Sequence, residues 1–371
     1  MSTASVPGTP TAAQTTEGCR YCWMCRQSCP VGFVTARETF TPHAWALTIE
    51  SVKRGQLKWT PETSDVLYAC ADCGLCRANC ATDRPLPDAI AAARAEVATA
   101  GLAPAAAYDV EKKLKAHANP YVASSPAAST ARGDVALFVG DAALHLGKPA
   151  LDALRRLLEA AGITAVPIAA GRSTGSIASS LGFASTARAL ADAALAEVSA
   201  SGCSRLIVVS PADRWAFERV YPDRLGLTWP AGVAIEDAAA VLAHALDQGK
   251  LRLRPDTSAP AWAYHDPCHS PRVPRDAQAP RRLLAAAFGE AGHRELFWRE
   301  HRAHPCGAVG GLEFTQPAIA SALARARIAD ARAAGARWLL TEDPACLHQI
   351  RTADAGGIEV MSLFEAIAGR L

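Results

Sequence analysis

The sequence predicts a helical, cysteine-framed N-terminal domain followed by two pseudo-repeated α/β lobes, each built on a parallel sheet. Three observations carry this. Eight of the twelve cysteines lie between Cys19 and Cys80, in two frames of identical spacing. From Asp134 onward, short apolar runs alternate with helical stretches, the pattern of α/β units. That region also repeats itself in degenerate form.

A chain of 371 residues accommodates two or three domains and a sizeable core. A formal charge of +2, with no basic stripe and no acidic tail, gives no footprint for nucleic acid. Residues 1–16 are small, polar and uncharged, and read as a disordered tail. They lack the cationic start and apolar stretch of a signal peptide. No apolar run is long enough to span a bilayer. The expectation is a cytoplasmic protein, with membrane association through a partner left open. In a reducing compartment, clustered cysteines bind metal or do chemistry far more often than they form disulfides.

Residues 17–100 form the N-terminal domain. Between the frames, Pro42 to Gly55 has apolar positions at helical spacing and stops at glycine. Asp88 to Ala100 reads as an Asp-capped, alanine-rich helix ending at Gly101. Residues 101–133 end in Ser, Ala, Pro and Gly, and read as a linker. The lobes follow at 134–255 and 256–371. Val135–Val139, Arg205–Val209 and Arg337–Thr341 are buried-strand runs, β-branched or leucine-rich without polar alternation. The repeat aligns the run ending at Ser210-Pro211 with that ending at Asp343-Pro344. It also aligns Gly232-Val-Ala-Ile-Glu-Asp with Gly357-Ile-Glu-Val-Met-Ser.

The first frame is Cys19-x2-Cys22-x2-Cys25-x3-Cys29-Pro30 and the second is Cys70-x2-Cys73-x2-Cys76-x3-Cys80. This is the spacing of bacterial two-cluster ferredoxins, in which the fourth cysteine ligates the other cluster. Three thiolates at x2 spacing wrap one loop around three corners of a cubane, and the fourth points away. The expected cofactors are therefore two [4Fe–4S] clusters. One is on Cys19, Cys22, Cys25 and Cys80, and the other on Cys70, Cys73, Cys76 and Cys29. Structural zinc also uses Cys-x2-Cys pairs, but needs neither a third cysteine at x2 nor a fourth at x3. Arg20, Arg26, Arg77 and Arg84 flank the frames, either to offset cluster charge or as solvated surface groups. Trp23 and Met24 are expected to shield the first loop from water.

The two frames, with a helix between them, resemble the α-helical ferredoxin module. Thr41-Pro-His-Ala-Trp-Ala-Leu stands where relatives turn into that helix, and Ala81 departs from the usual proline. Farther on are Tyr264-His-Asp-Pro-Cys268-His, His304-Pro-Cys306-Gly307-Ala-Val-Gly-Gly311 and Asp343-Pro-Ala-Cys346-Leu-His. These resemble the cysteine-rich CCG domain of the heterodisulfide reductase and glycolate oxidase iron–sulfur subunit family. The anaerobic glycerol-3-phosphate dehydrogenase C subunit is similar. The resemblance covers residues 17–371. Two departures stand out: Pro305 replaces the first cysteine of Cys-Cys-Gly, and Asp343 stands where a fifth cysteine can occur. The first lobe lacks the set, with Asp141-Ala-Ala143, Arg172-Ser-Thr-Gly175 and Ser210-Pro-Ala-Asp213 in the matching places.

Cys268, Cys306 and Cys346 thus remain, each after a strand or at a glycine-rich turn. Open sheets place ligands at such carboxyl ends. Three readings stand: a third iron–sulfur cluster, a vestigial site of small buried residues, and zinc. His265, His269, His304, Asp343 and His348 are candidates for a fourth ligand. Cys203 lies outside the motifs. No glycine run forms a dinucleotide fingerprint.

The resemblance implies an electron-transfer subunit without autonomous activity. It takes electrons from a flavoprotein dehydrogenase and passes them to a quinone or an electron-transfer flavoprotein. The alternative is a reductase that turns a C-terminal cluster on a disulfide-like substrate.

Overall fold

The computed structural model describes residues 16–124, 127–353 and 356–371. The tail expected at residues 1–16 lies, apart from Thr16, outside them.

The cysteine-bearing region is helical. Helix α1 (Pro42–Lys53) starts with proline at N1, where no amide partner is needed, and ends at Arg54–Gly55. Its buried stripe is Trp45, Ala46 and Ile49. The Trp45 indole donates to the Val66 carbonyl at 2.7 Å, pinning α1 to α2 (Pro61–Tyr68). Helix α2 opens with reciprocal bonds between the Thr60 and Thr63 hydroxyls and backbone amides. Helix α3 (Leu86–Thr99) begins earlier than the sequence suggests. Asp88 sits in its first turn rather than at its cap, because Pro87 sets the entry and the Asp88 carboxylate is drawn to Arg224 at 2.7 Å.

The stretch expected to be a linker instead carries helix α4 (Ala105–His117). Its buried Ala107, Val110 and Leu114 recur at helical spacing. The flanking Pro and Ser residues drew the sequence reading away from that short stripe.

The first sheet is parallel, in the order β2-β1-β3-β4: β1 (Val135–Val139), β2 (Val166–Ala170), β3 (Arg205–Val208) and β4 (Ala234–Asp237). Pro167 is tolerated because β2 is an edge strand. The second sheet is also parallel, in the order β5-β6-β7: β5 (Trp262–Tyr264), β6 (Trp338–Thr341) and β7 (Glu359–Ser362).

Alternation along β1 sorts the cores. Ala136 and Phe138 join a core continuous with the cysteine region, including Leu67, Cys70 and Val97. Leu137 and Val139 face the opposite side, where Leu154, Trp262, Leu340 and Phe364 are packed together. One face of the first sheet is thus welded to the N-terminal region and the other to the second lobe.

Candidate metal centres

The N-terminal frames fold back through left-handed residues. Tyr21 and Trp23 have φ of 50° and 63° in the first loop, and Asp72 has 51° in the second. Such non-glycine conformations cost about 1–3 kcal/mol each and persist where the surroundings hold them. They let closely spaced thiols turn to one side.

The eight thiols sort into two neighbourhoods that cross the frames. A cavity of about 270 Å³ is lined by Cys19, Cys22, Cys25 and Cys80, and by Cys76 as well. Burial, then the neighbouring Cys19, pushes the Cys25 thiol up to about 11; Cys80 and Cys22 add to this. Cys29 leaves its own frame and lies buried by Cys70 and Cys73. Burial and those two thiols drive its titration far up. Cys76 is raised by burial first, then by Cys70, Cys73 and Cys29. Buried neutral thiols packed this way serve no solvent chemistry. Thiolates around a cationic iron–sulfur core fit both the cavity and the donor set. Cys80 runs the other way: although burial raises it, the Thr82 hydroxyl and the Thr82 and Arg84 amides lower its pKa.

Trp23 and Met24 line the cavity but do not close it; each is more than half exposed. Of the flanking arginines, Arg26 pairs with Glu38 at 2.6 Å, and Arg77 with Asp83 at 3.0 Å. Arg84 donates to the Glu17 carbonyl at 2.7 Å, and Arg20 is exposed at the cavity edge.

Both lobes grip the second frame. From the first lobe the Arg224 guanidinium reaches the Asp72 carboxylate, while Arg94 of helix α3 donates to the Cys70 carbonyl at 2.7 Å and to the first-lobe Ser180 carbonyl at 2.8 Å. From the second lobe, Arg272 donates to the Cys73 carbonyl at 3.1 Å. His269 Nε2 lies 2.9 Å from the Asp72 carbonyl oxygen.

In the second lobe, Cys306 and Cys346 Sγ are 3.1 Å apart. His265, Cys306 and Cys346 each place a ligand atom within 4.8 Å of the others, and all three are buried. Cys268 is not in that group. It is buried, and burial first, then Cys73 and Cys306, pushes its thiol well up.

The other candidate ligands are engaged elsewhere. His269 stacks on Trp215 at 3.8 Å, and burial pushes it down to about 4. His304 stacks on Trp298 at 3.9 Å, and burial pushes it down to about 2. Asp343 caps the helix Pro344–Arg351, accepting from the Cys346 amide at 2.9 Å and from the Ser210 hydroxyl. His348 is exposed. His265 is pushed down to about 3, first by burial and then by Arg327, so its imidazole is neutral.

The sequence reading missed a polar cavity of about 80 Å³ between the lobes, reached by Cys268 and Cys346. Tyr121, Asp141, Asp213 and Glu313 line it. Burial raises Glu313 to about 7, and raises Asp141 and, far more, Asp213. Asp141 and Asp213 each follow closely on a strand of the first sheet, β1 and β3. That carboxyl-end position was the available signal.

Residues 15–83 match the family model of the 4Fe-4S dicluster domain, and residues 262–351 match that of the Cysteine-rich domain, CCG. A probable membrane-anchored ferredoxin of Chromohalobacter salexigens is 27% identical over 228 residues, 59% of this chain. The chain spans only 32% of the length of that relative. The crystal structure of a hypothetical protein from Helicobacter pylori superposes with a TM-score of 0.56 at 11% identity. That match covers 90% of this chain and 69% of the other, a likeness of fold alone. A stretch similar to the 4Fe-4S dicluster domain thus stands ahead of one similar to the cysteine-rich CCG domain in this chain.

Proposed function

We propose that the chain relays electrons from a flavin-dependent dehydrogenase subunit to a quinone or an electron-transfer flavoprotein. In this reading two [4Fe–4S] clusters carry the current. Cys19, Cys22, Cys25 and Cys80 hold the outer one, and Cys29, Cys70, Cys73 and Cys76 the inner. A bound cubane supplies a one-electron couple whose potential follows its hydrogen bonds and burial.

The observation that carries this is the crossing of Cys29 and Cys80 between the two thiol neighbourhoods. It keeps two redox sites within one loop of each other. The protein's own part is positioning. Trp23 and Met24 offer an exposed apolar lip at the outer site, suited to a transient partner. Arg224, Arg94 and Arg272 immobilise the inner loop against the lobes. A fixed loop lowers the reorganisation that accompanies each change of charge.

The two α/β lobes are read as degenerate repeats that serve as the docking body. Among the described residues no helix is long and apolar enough to cross a membrane. The relative named as a membrane-anchored ferredoxin supports association with a membrane.

The test is iron and sulfide content of anaerobically purified protein, with low-temperature EPR of the reduced form. About eight iron atoms per chain and two interacting S = 1/2 centres are expected. Iron-free, colourless protein after reconstitution overturns the reading. Co-purification of a flavoprotein supports the partner assignment, and reduction of the centres by that flavoprotein and its substrate checks it.

A further inference from the structure

Arg94 is fully buried, yet every acceptor it meets among the described residues is a backbone carbonyl. Its nitrogens donate to Leu67, Cys70 and Ser180 at 2.7 to 3.2 Å, and its guanidinium lies over the Tyr68 ring. Arg272, half-buried, is held in the same manner. It donates to the carbonyls of Cys73, His301 and Ala303 at 3.1, 2.8 and 3.4 Å. Carbonyl oxygens satisfy the N–H groups and leave the charge itself unanswered. A buried cation without a counter-charge is strongly unfavourable. A fold that keeps two of them beside one spot has an anion there.

That spot is the second cysteine frame. Arg94 holds the Cys70 carbonyl and Arg272 the Cys73 carbonyl. Arg272 also lies across Gly74, where an added Cβ would meet its Cδ at 3.2 Å and its Cγ at 3.3 Å. Gly74 has φ of 74°, so glycine serves the turn and the close approach together. Burial pulls the Arg272 guanidinium down, and Cys73, Cys268 and Cys76, in that order, hold it up. Burial drives the Cys70 thiol up, and Arg94 opposes it most.

The remaining arginines differ. Arg224 divides its charge between Asp72 and Asp88. Arg26 and Arg77 face carboxylates, Arg20 is exposed, and Arg84, half-buried, meets the Glu17 carbonyl at the outer site. Cys22 is exposed there, so water weakens the field of the charges around it.

Four thiolates outweigh the positive charge of a cubane core, so the loaded inner site is an anion. One-electron reduction adds a further negative charge. Burial alone works against that addition, and a fixed cation close by favours it.

We propose that Arg94 and Arg272 are the counter-charges of the inner site, and that they raise its reduction potential where the arginines flanking the frames do not. The inference rests on the two-cluster reading above and gives the lobes a part in it beyond docking. The second lobe brings Arg272, aligned by the His301 and Ala303 carbonyls. The first lobe aligns Arg94 through the Ser180 carbonyl.

The experiment is a redox titration of the anaerobically purified full chain, followed by low-temperature EPR. It reads both midpoints, and the signal absent from Cys29→Ala is the inner one. Arg272→Gln is expected to lower the inner midpoint by about 59 mV or more, a tenfold loss in the reduced-to-oxidised ratio at a fixed potential. The outer midpoint stays in place. Arg272→Lys keeps the charge and recovers most of the shift, and Arg20→Gln moves neither midpoint. Should Arg272→Gln fail to fold, the wild-type chain decides by its salt dependence. A counter-charge inside the protein escapes screening, so the inner midpoint stays level between about 0.05 and 0.5 M salt. An inner midpoint unmoved by Arg272→Gln overturns the proposal, as does an equal drop in Arg272→Lys or a midpoint that falls as salt rises. With about eight iron atoms per chain, those results leave the relay reading standing. A chain that takes up no iron removes that reading and the proposal together.

Discussion

Arg224 holds Asp72 with both arms of its guanidinium, Nη1 to Oδ2 at 2.8 Å and Nη2 to Oδ1 at 2.7 Å, while its Nε takes Asp88 at 2.7 Å. Both ends of the first pair are almost fully buried. Burial pushes the Asp72 carboxyl up, but the Arg224 charge, with Ser180 and His269, brings it below the ordinary value. Asp72 lies between Cys70 and Cys73, so one ion pair ties the first lobe to the second cysteine loop. Arg224→Met leaves the Asp72 carboxylate buried and uncompensated. A loss of about 3–5 kcal/mol is expected, seen as a lower denaturation midpoint, with weaker retention of iron at the inner site during dialysis against chelator.

Cys29→Ala tests the crossing. If Cys29 serves the inner site, the variant keeps the outer centre and drops to about four iron atoms per chain. Its EPR spectrum simplifies to one non-interacting signal. Cys80→Ala is expected to lose the outer centre instead. Both variants losing the centre of their own frame would refute the crossed arrangement.

The apolar lip predicts a kinetic effect without a static one. Trp23 is 55% exposed, and truncation of a docking tryptophan costs about 2 kcal/mol or more. Trp23→Ala is expected to raise KM for the protein partner roughly thirtyfold by that figure. Iron content and the oxidation rate with a small inorganic oxidant should be unchanged, as stopped-flow absorbance will show.

Gly307 follows Cys306 with φ of 105°, and an added Cβ meets the Ala320 carbonyl oxygen at 2.3 Å. Gly307→Ala should destabilise the second lobe by about 2 kcal/mol or more, from backbone strain alone. The check is the thermal midpoint of the variant, with the N-terminal iron content as internal control.

Glu313 gives a pH dependence with a definite sign. Buried, it keeps its proton up to about 7 in the folded state, whereas an unfolded glutamate releases it near 4.3. Between those values the folded chain binds more protons, so its stability falls as pH rises. Glu313→Gln removes that loss. The variant should melt above the parent at pH 8 and level with it only near pH 4, by thermal unfolding across the range.

What the sequence revealed and what it hid divide along physical lines. The cysteine frames were legible because spacing alone encodes a loop that turns thiols inward. Helix α1 was legible from Pro42, the Trp45–Ile49 stripe and Gly55, and β1, β3 and β6 from their uninterrupted apolar runs. Helix α4 hid behind flanking prolines. Strand β2 hid behind Pro167, harmless only because the strand is at an edge. Arg224 and Asp72 are far apart in the chain, and no local pattern announces a partner across such a distance. His265 was one of five candidate ligands, and only folding showed that it, rather than Cys268, joins Cys306 and Cys346.

Cys29 and Cys80 each complete the other loop's nest of sulfurs. Neither loop is therefore self-sufficient as it leaves the ribosome. On the proposed ligation the first must wait until the second has been synthesised, which makes insertion of the inorganic cores a late and joint event. A chain broken off between the loops holds Cys29 without Cys70, Cys73 and Cys76, and Cys19, Cys22 and Cys25 without Cys80.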